Sequence, residues 1–323
     1  MLYTCWLSPD LQHTVEKLLA GDARTLARAI STVENRTSGW AELLKALYPR
    51  TGKARILGLT GAPGAGKSTL VDQLARYYRK QDRTVGIIAV DPTSPYTGGA
   101  ILGDRIRMQD HFSDPGIYIR SMATRGSLGG LARATADVST VLDASGRDLI
   151  MIETVGVGQD EVDIVRLADV TIVILVPGMG DDVQSIKAGI MEIADIFVIN
   201  KSDREGAERV EREIRALQSL ALRSDGWTPP IVKTVASEGT GIGDLATAIA
   251  DYEGYLQKEN LLLQHNIENW QERLIEMLRD ALLEKAREQM GDGSVARYAA
   301  EVAAHKRDPY TVIEEIVARV GKG

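Results

Sequence analysis

Apolar and polar residues follow two rhythms along this chain, and the change between them divides it. The first fifty residues are helical in pattern. Ser8 stands as a cap, with Pro9 and Asp10 in the turn after it, which predicts a first helix. Gly21-Asp22 interrupts that helix and Asp22 caps a second, in which Leu26, Ala29, Ile30 and Val33 recur at helical spacing. Asn35 to Gly39 reads as a turn and Trp40 to Tyr48 as a short third helix. Beyond Lys53, strand-like apolar segments appear at 55–60, 84–90, 116–121, 148–153, 170–176, 195–200 and 230–236. Several are apolar on consecutive residues, as strands covered on both faces are. Helical stretches fit between most of them. The alternation predicts an α/β fold, a mainly parallel seven-stranded sheet with helices on both faces.

After Ala236 the strand pattern stops. Residues 242–255 read as one helix, and 261–290 as a long amphipathic one with Ile267, Trp270, Leu274, Leu278 and Leu282 three or four apart. At about 1.5 Å per residue that helix reaches some 45 Å, longer than packing on its own domain usually needs. It is therefore expected to act between subunits. Gly291 to Gly293 breaks it, and two more helices follow at 294–304 and 309–320, with Asp308 capping the second. The predicted division is an N-terminal helical extension (1–52), a nucleotide-binding domain (53–256) and a C-terminal helical dimerisation arm (257–323).

Composition narrows the class. The 323 residues carry 38 Lys+Arg against 45 Asp+Glu, a net charge of -7, which argues against nucleic acid or an anionic membrane as the main partner. One cysteine, Cys5, leaves no intrachain disulfide framework and fits a reducing compartment. The histidines His13, His111, His265 and His305 are too scattered for zinc-type spacing. No run approaches the ~18 apolar residues of a membrane helix, and the N-terminus does not resemble a signal peptide. A cytoplasmic protein is expected.

The candidate chemistry begins at Gly61-Ala62-Pro63-Gly64-Ala65-Gly66-Lys67-Ser68, a G-x-x-x-x-G-K-[ST] run between a predicted strand and a predicted helix. Its glycines let backbone amides turn around phosphate oxygens, and the helix N-terminus adds a positive dipole end. In a P-loop nucleotide hydrolase Lys67 neutralises the β- and γ-phosphates and Ser68 ligates Mg2+; binding is expected across Gly61 to Thr69. Asn200-Lys201-Ser202-Asp203 follows a predicted strand in the N-K-x-D pattern of guanine readers. A carboxylate at Asp203 accepts from both the ring N–H and the exocyclic amine of guanine, whereas adenine leaves it unpaired. The Asn200 amide can bond the base and brace neighbouring loops, and the Lys201 stem can pack along the ring. Ser237-Glu238-Gly239, past the last strand, fits a loop that offers a backbone amide to guanine and fits an ordinary turn equally well.

Asp91 and Glu153 end predicted strands, where open α/β sheets bind ligands, and are candidates for holding Mg2+ or its waters. Asp104 can reach the metal or the attacking water, but by spacing alone it is as well a solvated loop carboxylate. No Gln follows Gly156 directly, and Gln159 lies two residues beyond Val157. Intrinsic hydrolysis is therefore expected to be slow unless Asp91, Asp104, Arg105, Arg107 or Lys187 supplies the missing group. Lys187 follows the Gly178-Met179-Gly180-Asp181-Asp182 loop, and on spacing alone it is equally an ordinary surface lysine.

The runs DPTSPYTGGAILGDRIRM (91–108), ETVGVGQDE (153–161), PGMGDDVQSIKAGI (177–190) and NKSD closely resemble the methylmalonyl-CoA mutase-associated GTPases, called MeaB in bacteria, of the SIMIBI class of P-loop GTPases. The resemblance covers nearly the whole chain. It implies a homodimeric, GTP-hydrolysing chaperone of an adenosylcobalamin-dependent acyl-CoA mutase that couples GTP/GDP turnover to cofactor loading, protection and reactivation. It places Asp91 and Asp104 in a first switch, Glu153 in a second, and Lys187 as the functional lysine of a third switch that answers to the mutase. Three rivals remain on the residues, one of them a pure interaction protein in which the nucleotide is structural. A nickel metallochaperone GTPase needs Cys or His near the nucleotide, and Cys5 lies outside the predicted nucleotide domain. An ATP-dependent transport kinase is disfavoured by Asp203.

Overall fold

The computed structural model describes residues 8–91, 113–123, 130–154, 167–178, 193–220, 223, 225–259, 261–291 and 293–320. Chain order begins α1 (Pro9–Leu19), α2 (Ala23–Glu34), α3 (Trp40–Leu47), β1 (Arg55–Gly61), α4 (Lys67–Arg79), β2 (Val85–Asp91), β3 (Ile117–Ala123), α5 (Gly130–Ala144) and β4 (Leu149–Glu153). It continues with β5 (Val170–Leu175), β6 (Ile196–Asn200), α6 (Ala207–Leu220), β7 (Ile231–Thr234), α7 (Ile242–Lys258), α8 (Leu262–Met290), α9 (Ser294–Ala303) and α10 (Pro309–Val320). The caps read from sequence are formed. Ser8 Oγ accepts from Leu11 N at 3.3 Å, Asp22 Oδ1 from Thr25 N at 2.7 Å and Asp308 Oδ1 from Thr311 N at 2.9 Å.

The fold is the expected one. Seven strands form one sheet in the order β3-β2-β4-β1-β5-β6-β7, and every pairing is parallel. A parallel sheet gathers all its carboxyl ends on one edge, and here the order reverses across the central β1. β4, β5 and β6 are buried at every residue, which is why they read as unbroken apolar runs. The last expected strand, 230–236, ends two residues early. Val235 makes only an isolated bridge to Thr240, and Ala236–Glu238 form a 3-10 turn, because Gly239 (φ 74°) and Gly241 (φ 77°) turn the chain back.

Two helical layers cover the sheet. On one face α4 and α7 bring Leu70, Leu74, Leu245 and Ile249 onto Leu57, Leu59, Ile172 and Val198. On the other, Leu26, Ile30, Val33, Leu43 and Leu47 of α2 and α3 share a core with Val138 and Leu142 of α5 and with Ile88, Ile150 and Ile152 of the sheet. The N-terminal helices thus complete the sheet's own core. Asp143 fastens them, its carboxylate accepting from the amides of Gly52, Lys53 and Ala54 at 2.5, 3.2 and 2.9 Å. Residues through Leu262 form one compact unit and Leu263–Gly323 a second.

In the second unit Ala286, Tyr298 and Val312 are buried, and Arg307 pairs with Glu315 at 2.5 Å. Leu263, Ile267, Leu274, Leu278 and Leu282 stand exposed along α8. Among the described residues no helix is long and apolar enough to cross a membrane.

Candidate functional site

The site forms where β1, β4, β6 and β7 end together. β1 finishes in Gly61, whose φ is 150° and whose missing Cβ would lie 2.2 Å from the carbonyl oxygen of Ile174 in β5. Only glycine lets the chain turn out of the sheet there. The loop returns through Gly66 (φ 88°), where a Cβ would lie 2.4 Å from Asn200 Nδ2. Gly66 begins α4 without a side-chain cap, which leaves the first-turn amides as donors at the loop's mouth. Lys67 is buried, and its ammonium donates to the carbonyls of Gly61 at 2.7 Å and Ala62 at 3.1 Å. The ammonium is therefore held inside the loop. Ala62, Pro63 and Gly64 form the loop's outer part, Ala65 is buried beneath it, and Thr69 is exposed on α4.

Ser68 is buried too. Its hydroxyl donates to Glu153 Oε1 at 2.6 Å, so the first turn of α4 meets the end of β4. A hydroxyl and a carboxylate are oxygen-only donors, the chemistry that suits Mg2+. Among the described residues there is no group of three or more His, Cys, Asp and Glu side chains arranged to hold a metal. Asp91 closes β2 in register with Ala123 on the same edge of the sheet. Asp104 and Lys187 lie outside the described residues, as do Arg105, Arg107 and Gln159.

On the other side of the phosphate loop, Asn200 ends β6 in register with Thr234 of β7 and is 2% exposed. Its Nδ2 donates to Ala65 O at 2.8 Å, while its Oδ1 accepts from Thr234 Oγ1 and from Ala236 N, both at 3.1 Å. One side chain thus ties the phosphate loop to both strands' exits. Lys201 follows with φ 55°, a left-handed conformation that costs a β-carbon residue about 1–2 kcal/mol. Three bonds hold the turn: Lys201 Nζ donates to Gly64 O at 2.7 Å, Ser202 N to Thr234 O at 3.1 Å and Arg204 N to Lys201 O at 3.0 Å. Asp203 then stands exposed at the turn. Ser237 and Glu238 are exposed on the 3-10 turn that Ala236 opens, and Gly239 closes it.

Three buried hydroxyl residues join this architecture without belonging to a spacing pattern: Thr60, Thr154 and Thr234. Each adjoins a motif residue (Gly61, Glu153) or its register partner (Asn200). A threonine where an apolar strand meets a motif was the available signal.

A phosphate loop that opens a helix at the end of the central strand, with an Asn-Lys-x-Asp turn latched to it, defines a P-loop GTPase. A family model described as methylmalonyl Co-A mutase-associated GTPase MeaB matches residues 26–291. The chain belongs to that family. A protein of Pyrococcus abyssi is 47% identical over 313 residues, covering 96% of this chain and 97% of the relative. The GTPase ArgK of Escherichia coli is 37% identical over 277 residues, covering 83% and 82%. A crystal structure described as LAO/AO transport system kinase superposes with a TM-score of 0.71 at 28% identity, covering 98% of this chain and 99% of that one. The protein is accordingly a guanine-nucleotide-binding GTP hydrolase.

Proposed function

We propose that this GTPase is the chaperone of an adenosylcobalamin-dependent acyl-CoA mutase of the methylmalonyl-CoA mutase type. It couples GTP binding and hydrolysis to cofactor loading, protection and reactivation of that client. The observation that carries the reading is the match of residues 26–291 to a family described by its association with that mutase.

GTP lies across Gly61 to Thr69, with its β- and γ-phosphates against the first-turn amides of α4 and the Lys67 ammonium. Asp203 reads the ring N–H and amine of guanine, Lys201 flanks the ring, and Ser237 to Gly239 offers backbone donors. Ser68 and Glu153 would hold Mg2+, joined by Asp91 and Asp104. Bound there, the metal supplies neutralisation of phosphate charge as the terminal P–O bond breaks. The segments after Asp91 and Glu153 answer to the γ-phosphate, Asp104 belongs to the first of them, and Lys187 in a third segment answers to the client.

The exposed apolar line on α8 supports a homodimer, because a second copy would cover it. Light scattering at micromolar concentration is expected to give twice the 35.1 kDa chain mass, and a monomer there refutes this part.

The test is a GTPase assay with and without a methylmalonyl-CoA mutase-type enzyme. The client is expected to raise turnover, Lys67→Ala to abolish it, and Lys187→Ala to spare GTP binding while blunting the stimulation. No response of turnover or of cobalamin loading to either partner refutes the chaperone role. ATP bound more tightly than GTP would instead favour a transport kinase, and near-stoichiometric nickel binding a metallochaperone.

A further inference from the structure

Thr154 follows Glu153 at the exit of β4 and is 2% exposed. Its amide donates to Leu59 O at 3.1 Å, which carries the β1–β4 ladder one step past the Leu59–Glu153 pair. Its hydroxyl donates to Thr60 Oγ1 at 3.0 Å, and Thr60 is fully buried. Thr60 is the last residue before Gly61. A single residue thus pins the exit of β4 to the entrance of the phosphate loop, through the main chain and through the side chain.

Valine has nearly the same shape and would pack here with no hydroxyl to desolvate. A buried hydroxyl pair between two apolar strands adds direction rather than packing: it fixes the rotamer of both residues and the path of the chain on either side. On one side that chain holds Glu153, whose Oε1 accepts from Ser68 Oγ at 2.6 Å. Ser68 belongs to the first turn of α4, at the far end of the loop that Thr60 begins. The two hydroxyl contacts, Thr154 to Thr60 and Ser68 to Glu153, therefore close the phosphate loop against β4 from both ends.

We infer that Thr154 is a positioning residue that, through Thr60, holds the Glu153 carboxylate against Ser68 at the magnesium end of the nucleotide site. The inference rests on the assignment of Ser68 and Glu153 to magnesium made above.

The test measures release of a fluorescent GDP analogue from the full-length chain across a Mg2+ titration, together with kcat and KM for GTP. Thr154→Val removes the donor and Thr154→Ser keeps it. Removing one hydrogen bond of this kind is worth about a factor of ten. In Thr154→Val, half-maximal slowing of GDP release is expected to need about ten times more Mg2+, with kcat down by a similar factor. KM and metal-free GDP affinity are expected to stay within about twofold of the parent, as is Thr154→Ser throughout. Thr60→Val removes the acceptor, so the double Val variant is expected to be no worse than the poorer single one.

A purely structural role would lower the melting temperature and leave the Mg2+ midpoint in place. An unshifted midpoint in Thr154→Val, an equal loss of metal-free GDP affinity, or no rescue by Ser overturns the inference. Should Thr154→Val not fold, Thr60→Val carries the same test. A parent protein whose GDP release ignores Mg2+ overturns the underlying metal assignment instead.

Discussion

Asn200→Ala tests whether the base-reading turn and the phosphate loop are one mechanical unit. The side chain is 2% exposed and makes three hydrogen bonds: to Ala65 O at 2.8 Å, from Thr234 Oγ1 at 3.1 Å and from Ala236 N at 3.1 Å. At about 1 kcal/mol net apiece, their loss costs about 3 kcal/mol. The cost falls on the phosphate loop and on the exits of β6 and β7 at once, because this one amide bonds to all of them. For a unit of this size each kcal/mol moves the melting temperature by about 2–4 °C, so a fall of about 6–12 °C is expected. The assay is thermal melting followed by circular dichroism, with and without GDP. Bound GDP is expected to return less stability to Asn200→Ala than to the parent, since the nucleotide must now reassemble loops that the parent holds ready. A melting temperature within about 2 °C of the parent, with unchanged GDP affinity, would refute the coupling.

Other outcomes follow from single contacts. Asp203→Asn replaces an acceptor pair with one acceptor and one donor, which suits the carbonyl that xanthine carries where guanine has its amine. GTP affinity is expected to fall by about 10–100-fold and the xanthine nucleotide to gain, measured by competition against labelled GDP. Gly241→Ala would set a Cβ 2.1 Å from the main-chain oxygen of Lys233 at φ 77°, so a loss above about 3 kcal/mol is expected on chemical denaturation. Gly116→Ala also crowds an atom, at 2.2 Å, but that atom is Arg79 Cζ, which can swing aside. The cost there is the partly exposed Arg79–Asp114 pair and the Arg79 Nη1 bond to Arg83 O at 2.9 Å, about 1–2 kcal/mol together. At Asp225 burial pushes the carboxyl up, but the Arg223 hydrogen bonds outweigh it and hold it below its usual 3.8. A carboxylate depressed in the folded state stabilises above its unfolded pKa and loses that contribution as pH falls through the folded value. Melting temperature is thus expected to drop below about pH 4, and Asp225→Asn to show a shallower acid limb.

The strands were legible because a strand covered on both faces must be apolar at every position, and β4, β5 and β6 are. Helix starts were legible because a cap bonds three residues ahead, as Asp22 does to Thr25. Both are local rules. What escaped them was partnership. Leu26, Ile30 and Val33 announce an apolar face on α2, yet nothing in their spacing says that Ile88 and Ile150 of the sheet will cover it. The end of β7 was misplaced for a related reason: Val235 and Ala236 look like strand, and the turn is set by Gly239 and Gly241 further on.

The site divides the same way. A phosphate loop and a guanine turn are legible because each packs its chemistry into a few adjacent residues. Their coupling runs from Asn200 to Ala65 and from Thr154 to Thr60, between strands far apart in sequence. Asn200 stands inside its motif, where its bracing role can be read, but Thr154 and Thr60 have no spacing to betray them, only burial in an otherwise apolar setting. A buried amide or hydroxyl is costly unless bonded, so each one found beside a nucleotide motif points to a partner that fixes the motif in place. On that argument the residues that hold this site ready for nucleotide are the buried polar ones behind the motifs, and the exposed motif residues do the reading.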